Sequence, residues 1–377
     1  MNEADDIRLQ EFRQLKKEIR GSNEYLIVGI DVAKEKHHAF FGTATGKTLL
    51  RRLIFENSLD GFGKLLGQTE AIKEAQGLSK VVFGLEPTAN YHKPLGEHLI
   101  KCGEMIVLVS GVAVKRNREL LDGRWDKHDT KDSTNVADLI SQGKCQFYEY
   151  PRMELRDLRS LLSLKRKLKK QEHGYRVRIR NHLLAQYFPE LDRYSGRSEV
   201  ESVIRWCLDP SRIAGFENNQ FVDLVSPGRK SQALYRRLQA IQELAIESIG
   251  CEMGKGAAFE AQVMVDGLRQ IRKDIQSTDD QIKEICRQFP EYEYLLTIPG
   301  FGPDVSAKVI GALGNPFRFQ NRKQVLKMAG LDLSANRSGK TSAAAVPIIS
   351  KQGKADLRYA LYQAAFIAST KNGDFIG

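Results

Sequence analysis

The sequence predicts an α/β domain followed by a mostly helical region, and three observations support this fold class. Between residues 25 and 150, short β-branched runs alternate with segments of helical spacing. From Met153 onward, Leu, Lys and Arg recur in long helical segments. The 377 residues are 41% hydrophobic and 28% charged, which is typical of a globular protein. No run reaches about 18 consecutive apolar residues, so we expect no membrane span.

The N-terminal elements follow one another in an order that predicts a mixed sheet covered by helices. A charged leader helix is predicted at residues 5–20. The predicted strands are 25–30, 36–42, 50–56, 80–85 and 105–110, and the predicted helices are 59–74, 91–101 and 129–142. Three strands in succession indicate an antiparallel meander, and the later alternation with helices favours parallel pairing. This order is that of the RNase H-like fold.

A coiled-coil seam is predicted in the central region. Its residues recur at alternating steps of three and four over four heptads, and Pro290 ends the pattern. They are Ala261, Met264, Leu268, Ile271, Ile275, Thr278, Ile282, Ile285 and Phe289. We expect an arm or dimer element that pairs with residues 153–187 or with a second chain, and a single amphipathic helix on a core is the alternative. Residues 188–256 predict only mixed helix and loop.

These patterns divide the chain into four parts. We expect a leader at 1–24, the α/β domain at 25–150, a helical and coiled-coil region at 151–290, and a C-terminal domain at 291–377. The polar N-terminus excludes a secretory signal. Five cysteines lie far apart without a C-x-x-C pair, which argues against a disulfide scaffold or a zinc site and indicates the cytoplasm.

The positive charge is concentrated in two windows. The formal net charge is +11, with residues 151–180 contributing +8 and residues 301–377 contributing +7, so the remainder is slightly acidic. Clustered Lys and Arg mainly contact phosphates, so two windows favour a nucleic-acid partner, with a solvated helix face as the alternative. The candidate nucleic-acid-binding residues of the first window are Lys165, Arg166, Lys167, Lys169, Lys170 and Arg176.

Four acidic residues are candidates for a metal site. Asp31 ends the first predicted strand and Glu86 follows the fourth, while Asp129 and Asp132 share one face at a helix start. In an RNase H-like sheet the first and fourth strands are neighbours, so we expect the four carboxylates to converge. Such a cluster needs a counter-charge, and Mg²⁺ or Mn²⁺ prefers hard oxygen ligands. Taken singly, the acids also fit a strand-end turn, a helix N-cap and a first-turn acid.

The segment Leu296–Gly314 has the pattern of a helix-hairpin-helix. Its central I-P-G-F-G-P contains Gly300 and Gly302, which would let backbone N–H groups approach a phosphate at a helix N-terminus. A packing corner between two helices is the alternative.

A loop rich in Ser, Asn and Gly spans Gly330–Lys340. It holds Arg337 and Lys340 around Ser338, and Lys351 follows in a second short basic segment. A serine in a loop is usually not catalytic, and no His partner is evident.

The N-terminal motifs resemble those of the DEDD-type insertion-sequence transposases, which are bridge-RNA-guided serine recombinases. The family's RuvC-like domain starts with G-x-D-V-A/S-K, here Gly29–Lys34, and continues with E-x-T/S-G/A-x-Y/H, here Glu86–His92. Its K-T-D-x-x-D-A segment aligns with Lys127–Ser133. Here His128 replaces Thr and Ser133 replaces Ala, and neither change removes a carboxylate.

The C-terminal half is similar to the transposase domain of the same family. It contains I-P-G-x-G at Ile298–Gly302, A-G-L-x-P at Ala329–Leu333 with Leu in place of Pro, and S-G-K at Ser338–Lys340. The long motif I-S-K-x-G-x-x-x-L-R-x-A-L-Y-x-A-A occupies Ile349–Ala365. Family members usually continue beyond this helix, whereas the sequence here stops at Gly377.

The resemblance implies a mechanism and a set of partners. Asp31, Glu86, Asp129 and Asp132 would hold Mg²⁺, and Ser338 would attack DNA to form a 5′-phosphoserine. A structured noncoding bridge RNA would pair with donor and target DNA, and the chain would act as a dimer of dimers. The alternatives are a RuvC-like metal-dependent Holliday-junction nuclease that uses water, and a non-catalytic nucleic-acid-binding scaffold.

Overall fold

The computed structural model describes residues 3–121, 129–194, 198–228, 231–334 and 346–373. The chain divides into two units, Met1–Arg152 and Met153–Gly377. The division falls two residues after the boundary that we placed at 150 from the change in sequence character. The prediction of a mixed α/β N-terminal part and a mostly helical C-terminal part is confirmed.

The N-terminal unit contains a six-stranded sheet and five helices among its described residues. The strands are β1 (Tyr25–Asp31), β2 (Lys36–Thr43), β3 (Thr48–Glu56), β4 (Lys80–Leu85), β5 (Ile106–Leu108) and β6 (Gln146–Phe147). The helices are α1 (Glu3–Glu18), α2 (Leu59–Gln76), α3 (His92–Lys101), α4 (Gly111–Leu121) and α5 (Asp129–Ser141).

The sheet has the order β3-β2-β1-β4-β5-β6. β1, β2 and β3 form the predicted antiparallel meander. β4 pairs with β1 in parallel and β5 pairs with β4 in parallel, so the first and fourth strands are neighbours as expected. β6, which the sequence did not predict, closes the far edge in antiparallel pairing with β5.

Two helical layers cover the sheet, and the leader helix belongs to one of them. On one face, α2 and α3 bury side chains such as Leu65 and Leu99. On the other face, α1, α4 and α5 contribute Leu15, Val114 and Ile140 to a second cluster. The described part of the leader thus packs on the α/β core through α1 and belongs to the same unit.

Local sequence signals explain where helices begin and end. Ser58 caps α2, since its hydroxyl accepts a hydrogen bond from the backbone N–H of Gly61 over 3.2 Å. Gly77 ends the same helix in the left-handed conformation, with φ 62°. The helix therefore begins at the predicted residue 59 and ends two residues after its predicted end at 74.

The C-terminal unit is built from helices and one short strand pair among its described residues. The helices are α6 (Met153–Arg178), α7 (Ala185–Tyr187), α8 (Ser198–Trp206), α9 (Pro210–Ala214), α10 (Asn218–Val225), α11 (Gln232–Ile246), α12 (Lys255–Cys286), α13 (Pro290–Leu296), α14 (Pro303–Leu313), α15 (Arg322–Ala329) and α16 (Ala355–Lys371). The strands are β7 (Leu333–Ser334) and β8 (Ile348–Ile349). A π-helical turn at Ile179–Leu184 follows α6.

The predicted seam lies along α12 and packs within the same chain. Ala261, Leu268, Ile275 and Ile282 are all buried. α12 lies along α6, which is one of the two partners predicted, and it also contacts α8 and α14. Val265 and other neighbours of the seam are buried too, so the apolar stripe is wider than a strict two-position repeat. Packing against several helices of one chain therefore accounts for the buried face.

The described residues of the region 188–256, which lacked periodicity, include four helices of 5 to 15 residues around a large apolar cluster. α8 to α11 contribute Val203, Ile213, Phe221 and Leu238 to this cluster. No helix among the described residues is long and apolar enough to span a membrane.

Candidate active site

Asp31 and Glu86 lie side by side at one edge of the sheet. In the parallel pair of β1 and β4, Ile30 stands opposite Leu85 as the last pair of the register. The backbone N–H of Glu86 donates to the carbonyl of Ile30, with 3.5 Å between N and O. Each acid therefore follows the same register pair on adjacent strands.

Both acids share the face of the sheet that α5 covers. Side chains alternate between the two faces along a strand. In β1, Tyr25 and Ile27 pack in the cluster that contains α5, so Asp31 lies on their face. In β4, Val82 packs in the same cluster, and Glu86 lies four residues later in the same phase. The alternation thus directs two carboxylates toward α5 and its neighbour α4.

Two glycines let α5 approach the sheet directly. A Cβ atom at Gly29 would lie 2.2 Å from the backbone oxygen of Ser133 in α5. A Cβ atom at Gly84, opposite Gly29 in the register, would lie 2.0 Å from Cδ1 of Ile140. The backbone of α5 therefore rests on β1, which sets the height of its first turns above the sheet.

Asp132 occupies the first turn of α5 and is 2% exposed. Asp129 begins the same helix, and its side chain lies outside the described residues. Among the described carboxylates of the site, Asp132 is thus buried on α5, and Asp31 and Glu86 lie at the edge of the sheet. Within the described ranges, no group of three or more His, Cys, Asp and Glu side chains is arranged to hold a metal ion.

Glu86 also contacts α4, a helix that the sequence analysis missed. A Cβ atom at Gly111 would come within 2.7 Å of Oε1 of Glu86, so the carboxylate lies against the start of this helix. Three residues after Glu86, Ala89 has a φ of 46°. Glycine adopts this left-handed conformation without a penalty, whereas the Cβ atom of Ala89 costs about 1–2 kcal/mol, which explains why glycine also suits this position of the motif.

A polar network connects α4 to α5 below the acids. The side-chain amide of Asn117 donates to Oδ1 of Asn135 over 3.2 Å and to Oδ2 of Asp138 over 2.8 Å. Gln142 donates to the same Asp138 oxygen over 2.8 Å. Because Asn117 and Asn135 are buried, these hydrogen bonds fix α4 and α5 relative to each other.

Two adjacent histidines of β2 lie next to the end of β1 that carries Asp31, one on each face of the sheet. His38 stands directly opposite Asp31 in the antiparallel register, so the two side chains share a face. His37 is fully buried, and its Nδ1 accepts a hydrogen bond from the backbone N–H of Ala33 over 3.2 Å. Burial lowers the pKa of His37, which keeps it neutral and able to hold the turn after Asp31. Neither histidine was predicted from the sequence as a site residue.

A short antiparallel strand pair, which we call the clasp, flanks the segment that contains the predicted serine loop. β7 and β8 pair antiparallel, with Leu333 opposite Ile349. The candidate nucleophile Ser338 and the candidate cations Arg337 and Lys340 belong to the segment between these strands and lie outside the described residues. The structure therefore fixes where this segment leaves and rejoins the fold.

The candidate cation Lys351 lies on a backbone segment that is locked against the end of α15. Its N–H donates to the carbonyl of Gly330 over 3.0 Å. The guanidinium of Arg358 donates to the carbonyls of Ala329 and Lys351 over 3.0 and 3.2 Å. Lys351 has a φ of 55° and an exposed side chain. The A-G-L and I-S-K-x-G motifs thus interlock and direct this lysine to solvent.

The six cations selected between 165 and 176 all lie on α6. Five of them are exposed, namely Arg166, Lys167, Lys169, Lys170 and Arg176. Arg166 pairs with Asp356 over 3.0 Å, and Lys169 pairs with Glu172 over 3.0 Å. Lys165 differs from the other five, because its side chain is largely buried and bridges three helices.

Lys165 has a structural role. Its Nζ lies 2.5 Å from Oδ1 of Asp279 on α12 and 2.6 Å from Oδ1 of Asp304 on α14. Lys308 also contacts Asp304. Burial alone would raise the pKa of Asp304, but the hydrogen bonds from Lys165 and Lys308 lower it below its ordinary value. The charge of Lys165 is therefore engaged by two carboxylates inside the fold, and its contact with a phosphate stays a prediction.

We expect Lys165→Met to lower the free energy of unfolding by about 1–3 kcal/mol, since it leaves two partly buried carboxylates short of a partner. A lowered carboxyl pKa adds stability at neutral pH that is lost as pH falls through about 5 to 3. The variant should therefore lose less stability than the wild type over that interval, as urea titrations at each pH would measure. Lys167→Met, an exposed change on the same helix, should stay within about 0.5 kcal/mol. Equal effects from both variants would contradict the structural role.

Gly300 is packed between helices, whereas Gly302 is open. Gly300 has a φ of 89°, and a Cβ atom there would lie 2.3 Å from the carbonyl oxygen of Ala364 on α16. Gly302 caps α14 and has no heavy atom within 4 Å of the corresponding position. The first-turn residue Asp304 supplies an anion at this helix end. This geometry gives Gly300 a packing role, and phosphate binding at this segment stays a prediction.

Comparisons with known proteins match both ends of the chain. Residues 28–189 match a family model of DEDD-type, IS110-related sequences described as transposase, and residues 292–376 match the model of the transposase IS116/IS110/IS902 family. A 43.6 kDa protein of insertion element IS110 from Streptomyces coelicolor is 23% identical over 334 residues. That alignment covers 83% of this chain and 77% of the other protein. The first model spans all four candidate acids, and the second spans Ser338.

Proposed function

Because the chain belongs to the IS116/IS110/IS902 family of transposases, which are enzymes that act on DNA, we propose that it is an RNA-guided, metal-dependent serine recombinase of an insertion sequence. The observation that carries the metal-dependent part is the parallel pairing of β1 and β4, with Asp31 and Glu86 adjacent on the face of α5. The strand order also supports an RNase H-like, RuvC-like fold for the N-terminal unit.

The donor set fits a hard divalent cation. Asp31, Glu86, Asp129 and Asp132 offer only carboxylate oxygens, which Mg²⁺ and Mn²⁺ prefer to nitrogen or sulfur. Bound ions of this kind activate an attacking oxygen and stabilise a leaving oxygen in phosphodiester chemistry. The described side chains do not by themselves complete a three-ligand cluster, so metal dependence is part of the proposal.

Ser338 is the proposed nucleophile, on the S-G-K match alone. Its Oγ attacks a DNA phosphorus and loses its proton, while the bond from that phosphorus to the 3′ oxygen breaks. The 3′ oxygen takes up a proton, which leaves a 3′-hydroxyl and a 5′-phosphoserine. The reverse attack by a 3′-hydroxyl of another strand then joins donor to target and releases the serine.

The proposed partners follow from the same family resemblance. A structured noncoding RNA would pair with both donor and target DNA, so base pairing would supply most of the sequence choice. Two pairs of chains would assemble on the DNA, with carboxylates and serine contributed by different subunits. The exposed cations of α6 and the basic C-terminal window are consistent with polyanionic partners.

The proposal is tested by mixing the chain with donor DNA, target DNA, the flanking noncoding RNA and Mg²⁺. One target strand carries a label at its 3′ end and, in a parallel reaction, at its 5′ end. The 3′-labelled product should migrate with the protein in denaturing gels, and the 5′-labelled product should end in a free 3′-hydroxyl. Omitting the RNA should abolish both products.

Serine variants separate the proposed mechanism from its rivals. Ser338→Ala should reduce the adduct by about 10³-fold or more, because it removes the nucleophile. Ser334→Ala and Ser342→Ala are the matched controls and should retain it. Cleavage that persists without an adduct in Ser338→Ala would establish a hydrolytic nuclease instead. Binding without cleavage under any metal would establish a non-catalytic scaffold.

A further inference from the structure

A basic cavity of about 580 Å³ lies between α6, α14 and the first turn of α16. Cations from both basic windows of the sequence line it. They are Arg159, Lys165, Arg166 and Lys169 from the first window, and Lys308 and Lys354 from the second. Two windows that are 120 residues apart in the sequence thus meet at one place in the fold.

The partners of these cations differ in how easily a ligand could replace them. Lys165 and Lys308 are held by Asp304 and belong to the structural ion pairs. By contrast, the pair of Arg166 and Asp356 is 67% and 65% exposed. Exposed pairs contribute about 0–1 kcal/mol, so a phosphate can take the place of Asp356 at little cost. The floor between the cations is apolar and includes Leu162 and Leu357.

An exposed aromatic stripe continues from this cavity along α16. Tyr359, Tyr362 and Phe366 follow Ala355 at steps of four, three and four, so they lie on one helix face. Their exposed fractions are 57%, 63% and 56%. Lys308 lies 6.0 Å from the centre of the Tyr359 ring, which joins the stripe to the cavity.

The packing of α16 accounts for several of its motif residues but not for Tyr362. Leu357, Ala360 and Ala364 are buried against neighbouring helices, and Arg358 holds two carbonyls of the locked segment. Tyr362 stacks loosely on Phe366, with 6.2 Å between ring centres, and otherwise faces solvent. A large aromatic side chain that packing does not use is free to bind a ligand.

We propose that the cavity and the aromatic stripe together bind a single-stranded segment of nucleic acid. Phosphates contact the exposed cations of the cavity, and unpaired bases stack on Tyr359, Tyr362 and Phe366. A duplex hides the faces of its bases inside the stack, so the stripe selects unpaired strands. The inference rests on the proposed function, because recombination guided by RNA exposes single strands of both DNA and RNA.

The test measures binding of the full-length chain without metal, so that no cleavage occurs. The probes are a labelled 20-nucleotide DNA strand, an RNA strand of the same sequence and the corresponding DNA duplex. Tyr362→Ala should weaken binding of the single strands by about 5- to 100-fold and change duplex binding by less than about twofold. The relative loss for DNA and RNA identifies which strand occupies the site. Tyr362→Phe keeps the ring and should restore wild-type affinity.

Matched controls separate local from general effects. Phe259→Ala removes an aromatic ring of similar exposure from α12 and should leave all affinities unchanged. The double change Arg166→Ala with Lys169→Ala should weaken the salt dependence of single-strand binding. The slope of the logarithm of the binding constant against the logarithm of the salt concentration should become smaller by up to about 1.4. The double change Lys167→Ala with Lys170→Ala, outside the cavity on the same helix, should reduce it by less than half as much.

Two outcomes would overturn the inference. Equal losses for duplex and single strands in Tyr362→Ala would show that the stripe does not select unpaired bases. Unchanged binding together with a smaller oligomer in sedimentation would make the stripe an interface between copies of the chain. Neither outcome depends on Ser338 chemistry, so a failed adduct test and a failed binding test are distinguishable.

Discussion

Replacing Gly29 with alanine is expected to destabilise the N-terminal unit by about 3 kcal/mol and to reduce recombination by about 10²-fold. The new Cβ atom would lie 2.2 Å from the backbone oxygen of Ser133 and 2.7 Å from the backbone nitrogen of Ala137. Backbone atoms in a helix cannot turn aside as a side chain can, so α5 must move as a body. Overpacking of this kind costs about 1–3 kcal/mol or more.

The loss of activity follows from the position of Asp132 on the displaced helix. A shift of α5 carries its first turn away from Asp31 and Glu86. Misplacement of a reacting group by about 1 Å can cost about 10²-fold in rate. Chemical denaturation and the adduct assay, performed on the folded fraction at low temperature, measure the two effects separately.

Gly63→Ala is the matched control for the change at Gly29. Gly63 lies in the interior of α2 in the same unit, and no heavy atom lies within 4 Å of the position of its Cβ. Alanine there should raise stability by about 0.5–1 kcal/mol, because the helix loses a glycine. If Gly29→Ala were as stable as wild type, the close contact between α5 and β1 would be wrong.

Replacing Asp132 with asparagine is expected to abolish metal-induced stabilisation together with recombination, while the fold is retained. Wild-type protein should gain about 2.7 kcal/mol at a Mg²⁺ or Mn²⁺ concentration 100 times the dissociation constant. For a unit of this size, that gain raises the melting temperature by about 5–10 °C. Without metal, the variant should keep the fold, because asparagine has nearly the same size as aspartate and its side-chain oxygen still accepts hydrogen bonds.

Asp138→Asn provides the control on the same helix. Asp138 accepts hydrogen bonds from Asn117 and Gln142, so its change should lower stability by about 1–2 kcal/mol through an impaired polar network. It should keep the response to metal. A wild-type melting temperature that does not move with Mg²⁺ or Mn²⁺ would remove the metal site from the proposal, whatever the variants do.

The central strands could be predicted from sequence because they are buried on both faces. β4 has the bounds that its apolar run predicted, and β1 ends one residue later, at Asp31. Such strands are continuous apolar runs that end sharply at a polar residue. Their pairing followed from the chain order, and it places two of the four candidate acids side by side.

Short or irregular elements could not be predicted in the same way. α4 begins at Gly111 and carries several cations and β-branched residues, so it has a weak helical pattern, and its contact with Glu86 was not foreseen. α8, α9 and α10 each have fewer than ten residues, which is too short for a repeat of 3.6 to emerge. The roles of Lys165 and Gly300 were also hidden, because ion pairs and close backbone contacts depend on tertiary packing.

The clasp of β7 and β8 acts as a tether with a calculable length. Ser338 is four residues from Ser334, the last residue of β7, and an extended chain spans at most about 3.6 Å per residue. Chain length alone therefore limits the serine oxygen to a sphere of about 14 Å around that anchor, plus the reach of its own side chain. If Ser338 is the nucleophile, as we propose, the DNA backbone that it attacks must pass through this sphere, whichever subunit supplies the carboxylates. Insertion of glycines after Ser334 would enlarge this sphere and lower the effective concentration of the serine at the DNA. The rate of adduct formation would then measure how closely the length of the tether matches the path of the DNA.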